Sequence, residues 1–443
     1  MSVLEQYRIS GASAAELVAN IEWAVSAGAL EPGQRLPSVR RLAADVGLSP
    51  VTVAAALAEL RRRGVVVSEP RRGTRIGEGP PIGRLRGPLP VPEGARDLST
   101  GNPDPALLPD LQAALAGLQG SGRLYGQASV APGLADLARE QLQRDGVRAD
   151  ALCVVAGALD GFERVLQAHL RPGDRVAVEN PGYAALFDLL RALGLVLEQV
   201  EVDDSGMLAA GLARAIASGA RAAVVTPRGQ NPTGAALSAT RAAELRAVLD
   251  EHPRLLVLED DHLGPIAGSE LHTLTAGRER WAATRSVSKS LGPDLRLAVL
   301  AGDARTIARV QGRQQCGPGW VSHILQGAVQ RLWGDPAVAL QSEHARAVYA
   351  ERRRTLLWSL RRLGVRAHGA SGLNVWVPVP DEAGAVAGLL QRGWVLAPGT
   401  PYRLPGCGPA IRVTISTLGE RDAERLAEDL AEVLAPQAWA RSG

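Results

Sequence analysis

The chain has 443 residues, 46% hydrophobic and 21% charged, with a formal net charge of +3, a composition that excludes a disordered or fibrous chain and fits an ordinary globular one. At about 150 residues per domain, this length predicts two or three folding units. Three cysteines, Cys153, Cys316 and Cys407, are odd in number, far apart and outside any Cys-x-x-Cys spacing, which argues against a disulfide framework or a metal site and for a reducing cytoplasm. Met1 to Ser10 has no basic stretch leading into an apolar run, and no 18 consecutive apolar residues occur, so neither a signal peptide nor a membrane span is expected.

The charge is unevenly spread. Residues 1 to 75 carry ten Arg against seven Asp and Glu, and residues 76 to 96 three Arg against two Glu, so the rest is close to neutral. Any nucleic-acid footprint therefore belongs at the N-terminal end. Ser13-Ala14-Ala15-Glu16 has capping-box spacing, and Leu17, Ile21, Ala24 and Val25 follow at helical intervals, predicting a helix from about 14 to 27 that stops at Gly28. A second helix is expected from Ser38 to Val46, ended by Gly47, and a third from the N-cap Ser49 with Pro50 at its first position, burying Val53, Leu57 and Leu60 and ending at Gly64. Two helices joined by Gly47-Leu48-Ser49 have helix-turn-helix form. Val65-Val66-Val67 reads as a strand, and Arg71-Arg72-Gly73-Thr74-Arg75 as the tip and return of a basic wing.

The string Pro32-Gly33-Gln34-Arg35-Leu36-Pro37-Ser38-Val39-Arg40-Arg41-Leu42-Ala43, followed by Leu48-Ser49-Pro50-Val51-Thr52-Val53, resembles the winged helix-turn-helix of the GntR superfamily. The resemblance assigns DNA contact to Ser38 and Arg40 on the second helix, Ser49 and Thr52 at the start of the recognition helix, and Arg71, Arg72 and Thr74 in the wing. The recognition helix of that family often carries arginines near its start. Here those places hold Pro50 and Ala54, so fewer bidentate guanine contacts are available.

Residues 76 to 96 contain ten Gly or Pro in 21 positions, the composition of a linker that spans about 25 Å as a flexible coil. From Asp97 onward, apolar runs of strand length alternate with helical stretches, the pattern of a mostly parallel sheet covered by helices. Strands are expected at Arg175–Glu179, Ala222–Pro227 and Leu255–Glu259, leading into Asn180-Pro181-Gly182-Tyr183, Gln230-Asn231-Pro232-Thr233-Gly234 and Asp260-Asp261-His262. Carboxyl ends of parallel strands are where such folds bind ligands. The stretch Thr284-Arg285-Ser286-Val287-Ser288-Lys289 adds the only lysine of the chain, since Lys and Arg total 49 and arginine accounts for 48. An amine does what guanidinium cannot: it loses its proton in a desolvated pocket and condenses with an aldehyde.

Asn-Pro-Thr-Gly, an Asp after a buried strand, and Ser-x-Ser-Lys with a downstream Arg occur in the order found in fold-type I, class I/II aminotransferases, and some 340 residues resemble that family. The resemblance implies pyridoxal 5'-phosphate as cofactor, with Lys289 forming the internal aldimine. It gives Asp260 to the ring nitrogen, Asn231 to the phenolic oxygen and Tyr183 to the ring face. The phosphate falls to Gly157, Ala158, Leu159, Ser286, Ser288 and Arg296, with Tyr125 reaching the phosphate of a neighbouring subunit, and Arg412 would grip an effector carboxylate. Two residues after the ring-nitrogen Asp the family usually has Tyr; here it is His262, which can donate the same hydrogen bond when neutral.

Joined, the halves resemble the MocR/GabR-type regulators over the full length. The expected organisation is a winged helix-turn-helix at 1–75, a linker at 76–96 and an aminotransferase-like domain at 97–443, whose part from about 345 forms a smaller α+β subdomain. The expected function is a cytoplasmic, pyridoxal phosphate-dependent transcriptional regulator, a head-to-tail homodimer on operator DNA that senses an amino compound or pyridoxal phosphate through an aldimine on Lys289. Two other readings stand beside it: an active aminotransferase with an accessory DNA-binding domain, and a regulator of vitamin B6 supply that senses pyridoxal phosphate itself.

Overall fold

The computed structural model describes residues 13–26, 30–62, 64–69, 73–77, 90–118 and 124–435. Arg71, Arg72, the stop expected at Gly28 and most of the expected linker lie outside these residues. The chain divides into two compact units: Met1–Arg86 with Leu170–Arg175 and Phe187–Leu197, and Gly87–His169 with Val176–Leu186 and Glu198–Gly443.

In the first unit, helices α1 (Ala14–Ser26), α2 (Val39–Val46) and α3 (Pro50–Arg62) precede strands β1 (Val66–Glu69) and β2 (Gly73–Ile76). Side chains hold the helix starts, as the spacing predicts. Ser13 Oγ accepts from Glu16 N at 3.3 Å, Ser38 Oγ from Arg41 N at 3.4 Å and Ser49 Oγ from Thr52 N at 3.1 Å. Gly47 closes α2 in the left-handed region at φ 69°, which glycine enters without a Cβ penalty. Leu17, Ile21, Leu42, Val53, Leu57 and Leu60 meet in one core that also takes Val66 and Ile76. The wing is antiparallel, Val66 opposite Ile76 and Glu69 opposite Gly73; its first strand starts one residue later than the apolar run suggests.

The second unit opens with β3 (Arg96–Asp97) and contains most of an eight-stranded sheet. Its strands are β4 (Ala151–Val155), β5 (Arg175–Asn180), β6 (Val196–Asp203), β7 (Gly206–Met207), β8 (Ala220–Val225), β9 (Leu256–Asp261), β10 (Trp281–Ser286) and β11 (Ala298–Gly302), in spatial order β4-β11-β10-β9-β8-β5-β6-β7. β8, β9 and β10 are parallel, while β11 runs against both β10 and β4. The central strands are buried along their length, as parallel strands covered on both faces must be. β9 continues through Asp260 and Asp261 instead of ending at Glu259, because its ladder with β10 runs on to Asp261 opposite Arg285.

The smaller part is α+β. Strands β12 (Asn374–Pro378), β14 (Ala397–Pro398) and β15 (Ala410–Thr414) form one sheet in the order β12-β15-β14, and β13 (Trp394–Val395) pairs in parallel with β3. The helices Pro336–Arg362 and Glu420–Leu434 pack on a core that includes Leu356, Leu360, Val375, Ile411, Val413 and Leu426. Among the described residues no single helix is long and apolar enough to cross a membrane.

Candidate functional site

The register of the central strands decides which side chains share a face. Thr284 lies beside Asp260 and Arg285 beside Asp261, and alternation then sends each pair to opposite sides of the sheet. On one side Thr284 Oγ1 donates to Asp260 Oδ1 at 3.3 Å. Burial raises the Asp260 carboxyl above its ordinary value, against the lowering effect of His262. His262 follows on the same strand end, with Nδ1 at 4.0 Å from Asp260 Oδ2. That nitrogen is buried and has no hydrogen-bond partner. Burial, ahead of the opposing pull of Asp260, lowers the imidazole's affinity for a second proton, so the ring is neutral near pH 7.

On the other side of the sheet Asp261 is clamped by two buried guanidinium groups. Arg228 Nε and Nη2 reach its two oxygens at 2.8 and 2.9 Å, and Arg285 Nε donates at 2.9 Å. Arg228 and Arg285 also share Asp145 Oδ2, at 3.0 and 2.5 Å. Burial would raise the Asp261 carboxyl, but Arg285 and Arg228 hold it down to about 2. This cluster pins the end of β9 from behind and so fixes Asp260 on the front.

Lys289 lies in the turn after β10 and donates from Nζ to Gly101 O at 2.7 Å. Burial, then Arg412 and Arg296, push its amine down to about 8. Ser286 Oγ accepts from Ser288 N at 3.3 Å in the same turn. The ladders set Ser286, Ala298 and Val155 side by side, which brings this turn to the start of the helix Ala158–His169. There Gly157 has φ +102°, and a Cβ would stand 3.2 Å from Arg296 Nη2. Arg296 itself is the one non-glycine residue at positive φ among the described residues, at 41°. Open first-turn amides and a guanidinium thus converge on one small space suited to an anion.

Arg412 on β15 is 3% exposed. Its Nη1 donates to Asn231 Oδ1 at 3.0 Å, its Nη2 to Ser99 O, and its guanidinium carbon lies 4.7 Å from the centre of the Tyr402 ring. Its Nε is buried without a partner. Tyr183 belongs to the same neighbourhood: burial raises its phenol, and Asp260 and Tyr402 add to the rise. The fold thus brings Lys289, Asp260, His262, Tyr183, Asn231 and Arg412 into one neighbourhood, with Ser286 and Ser288 in the turn before Lys289 and the helix start at Gly157, Ala158 and Leu159 beside Arg296.

It does not bring Tyr125 there, which is 91% exposed and packs edge-on against Trp320 at 5.4 Å. Sequence reasoning missed the segment 97–104, which crosses the pocket through Ser99 and Gly101 and is held by Leu98 O to Thr414 N at 2.8 Å and Asp104 N to the Tyr349 hydroxyl at 3.0 Å. It also missed the Asp261 cluster. Arg285, inside the stretch Thr284-Arg285-Ser286 that leads to Lys289, is the available signal for that cluster.

On the first unit, Ser38 and Ser49 serve as caps, and Thr52 Oγ1 bonds Ser49 Oγ at 2.8 Å. Thr74 Oγ1 bonds Ser68 Oγ across the wing at 2.8 Å. Arg40 is exposed, whereas its neighbour Arg41 is paired with Asp45 at 3.0 Å.

With this geometry in place, the comparisons with known proteins are decisive. The aminotransferase class I and II family matches residues 95–430, and the bacterial regulatory proteins of the gntR family match residues 13–76. The chain is 38% identical over 428 residues to the vitamin B6 salvage pathway transcriptional repressor PtsJ of Salmonella typhimurium, covering 96% of this chain and 99% of that one. The chain belongs to the MocR/GabR-type regulators. As a member of that family it joins a GntR-type DNA-binding module to a pyridoxal phosphate-binding aminotransferase fold. It is also 28% identical to the pyridoxine biosynthesis regulator PdxR of Corynebacterium glutamicum, over 76% of each chain. Kynurenine aminotransferase from Pyrococcus horikoshii shares the fold of the larger unit, with a TM-score of 0.71 at 21% identity over 77% of this chain and 91% of the other.

The residues present fit pyridoxal phosphate. A depressed lysine amine, a buried carboxylate on the neighbouring strand, an unpartnered buried imidazole nitrogen, and a helix start where Gly157 lets Arg296 approach closely suit its aldehyde, ring nitrogen, phenolic oxygen and phosphate.

Proposed function

We propose that this MocR/GabR-type regulator binds operator DNA as a homodimer in the cytoplasm and controls vitamin B6 supply by sensing pyridoxal phosphate itself. When bound, that cofactor supplies an aldehyde that condenses reversibly with an amine and a ring that withdraws electrons. Lys289 presents the amine, already lowered to about 8 and held by Gly101 O. Asp260 would hold a proton at the ring nitrogen, fixed by Thr284 in front and by the Asp261 cluster behind. Asn231 and neutral His262 would donate to the phenolic oxygen, Tyr183 would cover the ring, and Gly157, Ala158, Leu159, Ser286, Ser288 and Arg296 would take the phosphate. Leu124, Tyr125 and Ile324, all exposed, offer apolar surface to a second copy, with Tyr125 the residue that would cross.

The observation that carries the choice of sensed species is the state of Arg412. Each of its terminal nitrogens already gives one N–H within the fold, to Asn231 and to the Ser99 carbonyl, so two of its five N–H donors are committed and an amino-acid carboxylate would share the guanidinium with partners already in place. Names of two relatives, the vitamin B6 salvage repressor and the pyridoxine biosynthesis regulator, support the same reading. A second reading, an amino compound as effector, draws on the remaining Arg412 N–H groups, among them the Nε, which is buried and unpartnered.

The test is a titration of the full-length protein on the DNA upstream of its own gene, at two salt concentrations, with pyridoxal phosphate alone and with added amino acids. Salt-sensitive binding that pyridoxal phosphate alone shifts is expected. A shift that appears only when an amino compound is added would replace this reading with the second.

A further inference from the structure

Helix α3 carries two stripes at the same i, i+3, i+4, i+7 spacing. Val53, Ala56, Leu57 and Leu60 are buried in the core of the first unit. Val51, Ala54, Ala55 and Ala58 form the other stripe and are exposed, Val51 by 80%. None of these four side chains can donate or accept a hydrogen bond. The only hydroxyls near the helix start, those of Ser49 and Thr52, bond each other at 2.8 Å, and Ser49 Oγ also takes the Thr52 amide. Arg61, one turn beyond Ala58 on the same helix, and Arg40 on α2 are exposed and have no partner among the described residues, while Arg41 is held by Asp45.

An apolar stripe framed by free cations complements a surface with anionic edges and methyl groups on its floor. The major groove of DNA is such a surface wherever thymine lies in it, since the C5-methyl is the one apolar group that any base presents there. Recognition helices enter that groove N-terminal end first, and Val51 is the second residue of α3.

We propose that Val51, with Ala54 and Ala55 behind it, reads thymine methyl groups in the operator, so that base preference comes from apolar contact rather than bidentate hydrogen bonding. Arg40 and Arg61 engage phosphates and set the depth and register of the helix. The inference rests on the reading of the first unit as an operator-binding module.

The experiment uses the full-length protein to select duplexes from a random pool, and then replaces the thymines of the selected duplex by uracil one at a time, which deletes the methyl group and nothing else. T·A pairs are expected where α3 meets each half-site, with one or two uracil substitutions each weakening binding about fourfold, the value of burying one methyl-sized group. Val51→Ala weakens binding to the thymine duplex by a similar factor and binds the thymine and uracil duplexes alike, whereas Arg40→Ala weakens both equally. A selected sequence that no uracil substitution affects overturns the thymine reading and leaves operator binding standing. Failure to select any sequence overturns both.

Discussion

The DNA-reading surface and the cofactor pocket solve opposite problems. On the reader, Ser38, Arg40 and Ser49 are exposed at or beside helix starts, and the two serines are satisfied within a few residues of themselves, by the amides of Arg41 and Thr52. In the pocket the polar groups are buried or half-buried and key partners come from far along the chain, Lys289 meeting Gly101 and Arg412 meeting Ser99 and Asn231, while behind the sheet Asp261 meets Arg228 and Arg285. The reader can therefore drift in sequence with little loss of stability, whereas the pocket couples ligand chemistry to the integrity of the large unit.

Removing the amine is expected to have the largest effect. Lys289→Ala should abolish the pyridoxal phosphate-dependent change in DNA affinity while leaving cofactor-free DNA binding within about threefold, since the reader keeps its own core. Retention of the full shift in this variant, measured by fluorescence anisotropy on the upstream DNA, would remove Lys289 from the sensing role. Next comes Asp261→Asn, which leaves Arg228 and Arg285 buried with only Asp145 to balance them. Urea unfolding of the large unit should show a loss of about 3 kcal/mol, the scale for a broken buried pair. A loss below about 1 kcal/mol would mean that the cluster does not hold β9.

The pH dependence tests the pocket's electrostatics. A lysine reacts as the neutral amine, and lowering it from 10.5 to about 8 raises the neutral fraction at pH 7 to about one in ten. Attachment of pyridoxal phosphate, followed by visible absorbance, should speed up about tenfold per pH unit as pH rises toward about 8 and then level off. A rate still climbing steeply past pH 9 would contradict the depressed amine. The smallest expected effect separates two adjacent arginines. Arg40→Ala should weaken DNA binding a few-fold on all sequences and reduce the salt slope by about 1, whereas Arg41→Ala, which removes the partner of the mostly buried Asp45 carboxylate, should leave DNA binding nearly unchanged and lower stability by about 1 kcal/mol. Equal effects of the two on DNA binding would cancel the distinction.

Much of this was legible in the residues themselves. The caps at Ser13 and Ser49, the stop at Gly47 and the buried stripe of α3 follow from spacing alone, because capping and amphipathicity are decided within one or two helical turns. The ordered set Asn231, Asp260, Lys289 and Arg296 pointed to the pocket before any coordinates did. The strand end at β9 was misplaced by two residues because a run of two acids reads as a loop until Arg228 and Arg285 are seen to neutralise it. The segment 97–104 left no trace in the sequence pattern, since its part in the pocket is played by the backbone carbonyls of Ser99 and Gly101, which every residue type carries.

The sequence by itself determined the two kinds of module, the lysine that makes aldehyde chemistry available and the helix that faces DNA, because each depends on residue type at short range. Only the tertiary structure decided that Arg412 is bonded to Asn231 and Ser99, that His262 keeps a buried nitrogen open, and that among the described residues Arg41 has a partner in Asp45 while Arg40 has none. Those facts depend on which side chains meet across the fold and on the burial that raises or lowers each group's affinity for its proton, and neither quantity is written in local spacing.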